Sequence, residues 1–369
     1  MKAARIFLLL IYFTALVPDL SAQTDKKDDE DVIRVDTQLV DVPFVVIDKN
    51  GKPLLNLKQS NFIIYEDGKK QESAEFAATN VPFEVALLLD TSGSTRSDLT
   101  LIQRAAANFI ASLRTGDKVS VVSYKTAQND VQKYAASEIL NDLTDDRAKL
   151  KSVLEAVKTS NGTPYYDSLL QVAEKIFGDK PKDEFRGRRA LVALTDGVDS
   201  VSAAEFDEAQ EALEKAGITC YFIQVNTREF FEENLLGNCQ SAIRFSTAQI
   251  RRYYRTYYRK SNVEKSFNFC DLGEFERLAI SKGLYELADK QMNVLAKNSG
   301  GRVFPVEDLS EARNAFKAVA DEIGTKYSIG YYSSNEKRDG TFRKIKIELK
   351  NVPTGAQIRA REGYTAPSK

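Results

Sequence analysis

The chemistry open to this chain is concentrated in Asp90, Ser92 and Ser94, which close the segment VALLLDTSGS at residues 85–94. Five consecutive apolar residues followed by a polar turn describe a strand buried on both faces that ends in a loop. In open α/β sheets, ligands bind just outside the carboxyl ends of such strands. Alternate spacing on a tight loop can turn one carboxylate and two hydroxyls toward a common point. Hard oxygen donors of this kind suit Mg²⁺, Mn²⁺ or Ca²⁺, and suit zinc or copper poorly.

Two further stretches offer matching groups. The tetrapeptide NGTP at 161–164 places Thr163 just before an amphipathic helical pattern, and the apolar run ALVAL at 190–194 leads into Thr195, Asp196 and Gly197. The three stretches together resemble the von Willebrand factor type A domain, whose metal-ion-dependent adhesion site follows the pattern DxSxS, then Thr, then Asp. All five positions are filled here, by Asp90, Ser92, Ser94, Thr163 and Asp196. The resemblance implies that the serines and some of the other groups hold the ion directly or through water. It also implies an open coordination position for a carboxylate from a partner. Thr195 reads only as a strand-end residue.

The function implied is an exported, non-enzymatic module of adhesion type that binds a protein partner presenting Asp or Glu. Mg²⁺ is the expected ion, with Mn²⁺ and Ca²⁺ as alternatives. A second reading lets the ion pin the loops and gives recognition to an insertion described below. A third treats Asp90 as the nucleophile of a phosphatase, but the general acid such enzymes place two residues on is Ser92 here. No Walker-type G-x-x-x-x-G-K-[ST] loop occurs either, so phosphoryl transfer is disfavoured.

Composition narrows the field further. The 369 residues contain no histidine, which removes Ser-His-Asp and Cys-His catalysis and His-ligated zinc or haem. Lys and Arg (52) balance Asp and Glu (53), for a formal net charge of -1, so nothing points to nucleic-acid binding. Lys2 and Arg5 precede an apolar run at 6–17 and a small-residue cleavage point at 20–22, which reads as a signal peptide over 1–22. The expected location is therefore periplasmic or extracellular, with no membrane span. A charge run, TDKKDDED at 24–31, sits in an expected flexible leader at 23–34.

The elements that must position the site follow an α/β rhythm, with strands and helices alternating across 81–325. Residues 35–80 and 326–369 read instead as β. Neither half can bury its apolar face alone, so the expectation is a small β-sandwich-like domain into which a doubly wound, Rossmann-like von Willebrand factor type A domain is inserted. The phrases NFIIYEDGKKQ, KYSIGYYSSNEKRDGTFRKIKIEL and REGYTAP resemble the exported bacterial proteins called VWFA-related, of the acidobacterial type.

Residues 226–283 interrupt the rhythm and read as a helical insertion. The segment IRRYYRTYYRK at 250–260 can form a helix with Tyr253, Tyr254, Tyr257 and Tyr258 on one face, and with Arg251, Arg252, Arg255 and Arg259 largely on the other. Its tyrosines can pack onto their own domain. Alternatively Tyr253, Tyr254, Arg255, Tyr257 and Tyr258 form a partner-binding surface. Three cysteines in an oxidising compartment leave one unpaired. A Cys239–Cys270 disulfide would staple the insertion and leave Cys220 as a buried thiol, although other pairings stay open.

Overall fold

The computed structural model describes residues 39–78, 81–93, 99–129, 132–179, 181–182, 188–240, 242–259 and 265–368. The expected signal peptide and charged leader, and Ser94, lie outside the described residues.

At the centre is a six-stranded sheet built on β5 (Glu84–Leu89). The strands β6 (Lys118–Gln128), β7 (Lys133–Ile139), β8 (Arg189–Thr195), β9 (Thr219–Val225) and β10 (Arg302–Val306) complete it, in the order β10-β9-β8-β5-β6-β7. All neighbours are parallel except β6 and β7. Every residue of β5 and β8 is buried, as continuous apolar runs require when helices cover both faces. One face packs against α1 (Leu99–Ser112), α2 (Arg147–Glu155) and α8 (Ala312–Ile323). The other packs against α3 (Tyr165–Gln171), α4 (Phe206–Lys215) and α7 (Glu274–Ser299).

From β5 the chain moves to β6 on one side, and from β8 to β9 on the other. The strand order therefore reverses between β5 and β8, which is where a crevice opens at the carboxyl end of such a sheet. β10 is an edge strand, in keeping with Pro305, which has no N–H to give a further ladder. The antiparallel strand β7 escaped the sequence reading because its residues, KYAASEI, include few β-branched side chains and stay exposed or only partly buried.

Two four-stranded antiparallel sheets enclose a separate core. One has the order β13-β1-β11-β4, from β13 (Gln357–Ala360), β1 (Leu39–Ile47), β11 (Tyr327–Tyr332) and β4 (Ser73–Ala77). The other has the order β14-β12-β2-β3, from β14 (Gly363–Thr365), β12 (Phe342–Leu349), β2 (Phe62–Glu66) and β3 (Lys69–Gln71). Both sheets combine strands from before and after the α/β region, alternating in the first and meeting at the β12/β2 pair in the second, so neither half could bury Phe44, Phe62, Ile64, Tyr327 and Ile345 without the other. Phe44 lies edge-on to Phe62, with centroids 4.9 Å apart, and stacks on Tyr327 at 5.6 Å. Within the β segment expected over 326–369, the last two strands, β13 and β14, are short and serve different sheets.

The same core explains all three phrases that carried the sequence resemblance. Glu66, 2% exposed, accepts hydrogen bonds from Tyr331 (2.8 Å), Ser333 (2.6 Å) and Tyr364 (2.9 Å), and faces Arg343 at 3.4 Å. A carboxylate satisfied by four groups from the far end of the chain ties the two halves together.

The insertion contains α5 (Arg228–Glu233) and α6 (Thr247–Tyr257), and its last ten residues are the opening turns of α7. Ser246 caps α6, accepting from Gln249 N at 3.1 Å while the Gln249 side chain accepts from Ser246 N at 2.9 Å. Gly283 lets α6 lie close on α7: a Cβ there would come within 2.6 Å of the Tyr253 ring. Leu235, Phe245, Ile250, Tyr253, Tyr254, Phe269 and Leu284 form the insertion's own apolar cluster. Cys239 and Cys270 are joined in a disulfide with Cα atoms 5.2 Å apart, and Cys220 is a buried free thiol that burial pushes up to about 12.

Candidate metal centre

Asp90 follows β5 and Asp196 follows β8, so the two carboxylates stand side by side at the carboxyl ends of neighbouring strands. Asp90 is fully buried and Asp196 is 5% exposed. Asp90 N donates to Leu194 O at 2.9 Å, which extends the β5/β8 pairing to the residue that carries the carboxylate. Its Oδ1 accepts from Ser92 N at 3.0 Å, and its Oδ2 from Thr195 Oγ1 at 2.8 Å. Burial pushes the Asp90 carboxyl above the usual carboxylate range, and the Ser92 and Thr195 hydrogen bonds pull it back.

Thr195 is thus more than the strand-end residue that the sequence suggested. Its hydroxyl bridges the two loops, donating to Asp90 and accepting from Gly197 N at 2.9 Å. Asp196 is held in the same manner: Oδ1 accepts from Val198 N at 2.9 Å and Oδ2 from Thr227 Oγ1 at 2.6 Å. Gly197 has φ of 74°, and Met292 of α7 fills the space where a Cβ would stand, 2.8 Å away.

The third loop is locked to the first two by backbone bonds. Ser160 N donates to Thr91 O at 2.8 Å, and Ser200 N to Thr163 O at 3.0 Å. Thr163 N donates back to Ser200 Oγ at 2.8 Å, leaving Thr163 only 7% exposed. Asp199 then accepts from Tyr165 N (2.9 Å) and Tyr166 N (3.4 Å), the first backbone donors of α3, and so fixes the turn that presents Thr163. Burial raises the Asp199 carboxyl, and the Arg252 guanidinium at 2.9 Å lowers it.

Of the five expected ligands, four lie within the described residues, and hydrogen bonds connect the loops that carry Asp90, Ser92, Thr163 and Asp196. The donor set is carboxylate and hydroxyl, with no imidazole in the chain, which fits a hard divalent cation. Among the described residues no group of three or more carboxylates and thiols is gathered for a metal, so hydroxyls would have to share the ligation.

Residues 85–198 match the family of von Willebrand factor type A domains. This segment, from β5 to the turn after Asp196, is similar to a von Willebrand factor type A domain. Such VWA domains commonly bind a divalent metal at an adhesion site of this pattern, and they are generally interaction modules rather than enzymes. Among solved structures, the conserved hypothetical protein BatB from Bacteroides thetaiotaomicron is 18% identical, covering 65% of this chain and 98% of its own, with a TM-score of 0.39. The von Willebrand factor type A protein from Catenulispora acidiphila is 12% identical over 90% of this chain and 75% of its own, at 0.43. Proximal thread matrix protein 1 from the mussel byssus, with a zinc-occupied MIDAS motif, is 15% identical over 66% of this chain, at 0.39. The matched region spans about half of that protein, 48%. No curated protein matches the chain.

The residues expected to form a partner surface separate into two groups. Tyr253 and Tyr254 are 6% and 4% exposed, packed within the insertion's own core, and are withdrawn from any surface. Tyr257 and Tyr258, at 44% and 38%, remain outside, and Arg255 pairs with Glu205 at 2.6 Å on the surface. Arg252, expected largely on the face opposite the tyrosines, is 7% exposed: its Nη1 donates to Asp199 O at 3.0 Å and its guanidinium stacks 4.8 Å from the Tyr166 ring. Thr195, Asp199, Thr227 and Arg252 are the residues that sequence reasoning missed. Only Asp199, three residues after Asp196 in TDGVDS, carried a local signal.

Proposed function

We propose that the chain is an exported, non-enzymatic protein-binding module. In this reading Asp90, Ser92, Ser94, Thr163 and Asp196 hold a divalent cation, Mg²⁺ first among Mg²⁺, Mn²⁺ and Ca²⁺, and a carboxylate of a protein partner completes its coordination. The observation that carries the reading is the pair Asp90 and Asp196 at the β5/β8 reversal point, each with both oxygens already oriented by hydrogen bonds. Fixing the carboxylates before an ion arrives lowers the ordering cost of binding. An ion held largely by neutral hydroxyls keeps much of its positive field and so attracts a further anionic oxygen. Export is supported by the basic and apolar opening of the sequence.

The test is capture of an acidic peptide, bearing a single Asp or Glu, on the immobilised chain with Mg²⁺ present. Capture that is lost with chelator and with Asp90→Ala supports the reading. Capture that survives both contradicts it. A second reading retains some support from Tyr257 and Tyr258, which leave part of the insertion's aromatic face exposed. It expects binding that ignores chelator and is lost in Tyr257→Ala/Tyr258→Ala.

A further inference from the structure

The region from β9 to the end of α7 reaches the candidate metal site at several separate points. Thr227, the residue before α5, donates its hydroxyl proton to Asp196 Oδ2 at 2.6 Å and shares a 2.8 Å hydrogen bond with Tyr285 of α7. Arg252, on α6, clamps both the side chain and the carbonyl of Asp199. Asp199 in turn holds the first amides of α3 directly behind Thr163. Ser246, the cap of α6, donates to Ser200 O, while Ser200 exchanges two hydrogen bonds with Thr163. Gln291 of α7 accepts from Tyr166 OH at 2.7 Å, and Met292 of the same helix fills the space beside Gly197.

Nothing in a strand-end Asp or a loop Thr dictates such supports. A carboxylate on a turn can rotate about two torsions, and a loop Thr can swing with its backbone. Each of the links above removes one of those freedoms. They come from separate elements, namely the turn before α5, the cap and body of α6, and α7, so they act together only if the insertion is folded against the site.

We infer that the insertion is a strut that sets the metal site, with Thr227 and Arg252 as positioning residues: Thr227 fixes the Asp196 carboxylate and Arg252 fixes, through Asp199, the turn bearing Thr163. This rests on the metal reading proposed above. It adds a consequence for regulation, because coupling between two sites is reciprocal. Whatever shifts α6 changes ion affinity, and ion binding in turn tightens α6 against the domain.

The experiment uses the purified, metal-stripped chain as wild type, Thr227→Val, Thr227→Ser and Arg252→Met. Mg²⁺ and Mn²⁺ are titrated calorimetrically, and amide hydrogen exchange is followed without metal. Val matches the shape of Thr but lacks the donor, so Thr227→Val is expected to weaken ion binding about tenfold or more, as loss of an orienting partner does at metal sites. Thr227→Ser, which restores the hydroxyl, is expected to recover it. Arg252→Met is expected to speed exchange at the Tyr165 and Tyr166 amides more than in α1 or β6. Should Arg252→Met fail to fold, the Val and Ser pair still decides. A wild type that binds ions while Thr227→Val, folded, binds them equally well overturns this inference alone. A wild type that binds neither ion overturns the metal reading and the inference with it.

Discussion

Arg252 and Asp199 form an ion pair of 2.9 Å in which the side chains are 9% and 0% exposed. The pair joins a helix of the insertion to the loop that follows Asp196. Removing one partner of a buried pair strands the other charge, at a cost of ~3–5 kcal/mol. Asp199→Ala is therefore expected to lower the unfolding free energy by about that amount, read from urea denaturation. A loss under ~1 kcal/mol would mean the pair is solvated and contributes as surface pairs do.

Lys326 gives the stability a pH dependence. It is fully buried, donates to Gly300 O at 3.0 Å, and burial lowers its pKa from 10.5 to about 7. Between about 7 and 10.5 the unfolded chain holds this proton and the folded chain does not, so folding strengthens as pH rises through that window, by ~1 kcal/mol per unit. Thermal unfolding at pH 7.5 and 9 should show the gain, and Lys326→Met should flatten it.

The disulfide between Cys239 and Cys270 closes a loop with a sequence separation of 31, for which chain entropy gives ~3–4 kcal/mol. Reduction should loosen α6 while the six-stranded sheet, which contains neither cysteine, stays folded. Proteolysis confined to residues near 240–270 after reduction is the expected pattern. Equal protection before and after would show that the insertion holds by packing alone.

In the β domain, Glu66→Ala leaves Arg343, 3% exposed in its side chain, without its carboxylate and removes the acceptor of three hydroxyls. A loss of ~3–5 kcal/mol is expected from stranding the buried cation. Because both sheets combine strands of the two terminal segments, differential scanning calorimetry should show the loss in the transition that unfolds both segments together.

What could be read from the residues was whatever is local or periodic. The buried runs of β5 and β8, the turn at Asp67 and Gly68 with positive φ, and the helix stop at Gly300 all announce themselves in a few residues. The combining of the terminal strands followed from an energetic need, since neither half could close a core. Supports that come from far along the chain were illegible. Thr227 reaches Asp196 across 31 positions and Arg252 reaches Asp199 across 53, and in sequence each is one polar residue among many. The arginine face of α6 misled for a related reason: periodicity shows which residues share a face, but cannot show that Asp199 waits buried opposite one of them.

The most direct measurement is calorimetric titration of the metal-stripped chain with Mg²⁺, Mn²⁺ and Ca²⁺, beside Asp90→Ala, and repeated with an acidic peptide present. Saturable binding of an ion by the wild type, lost in Asp90→Ala and tightened by the peptide carboxylate, is the predicted result. A wild type that binds no ion, or an Asp90→Ala variant that binds as well as the wild type, would contradict the account.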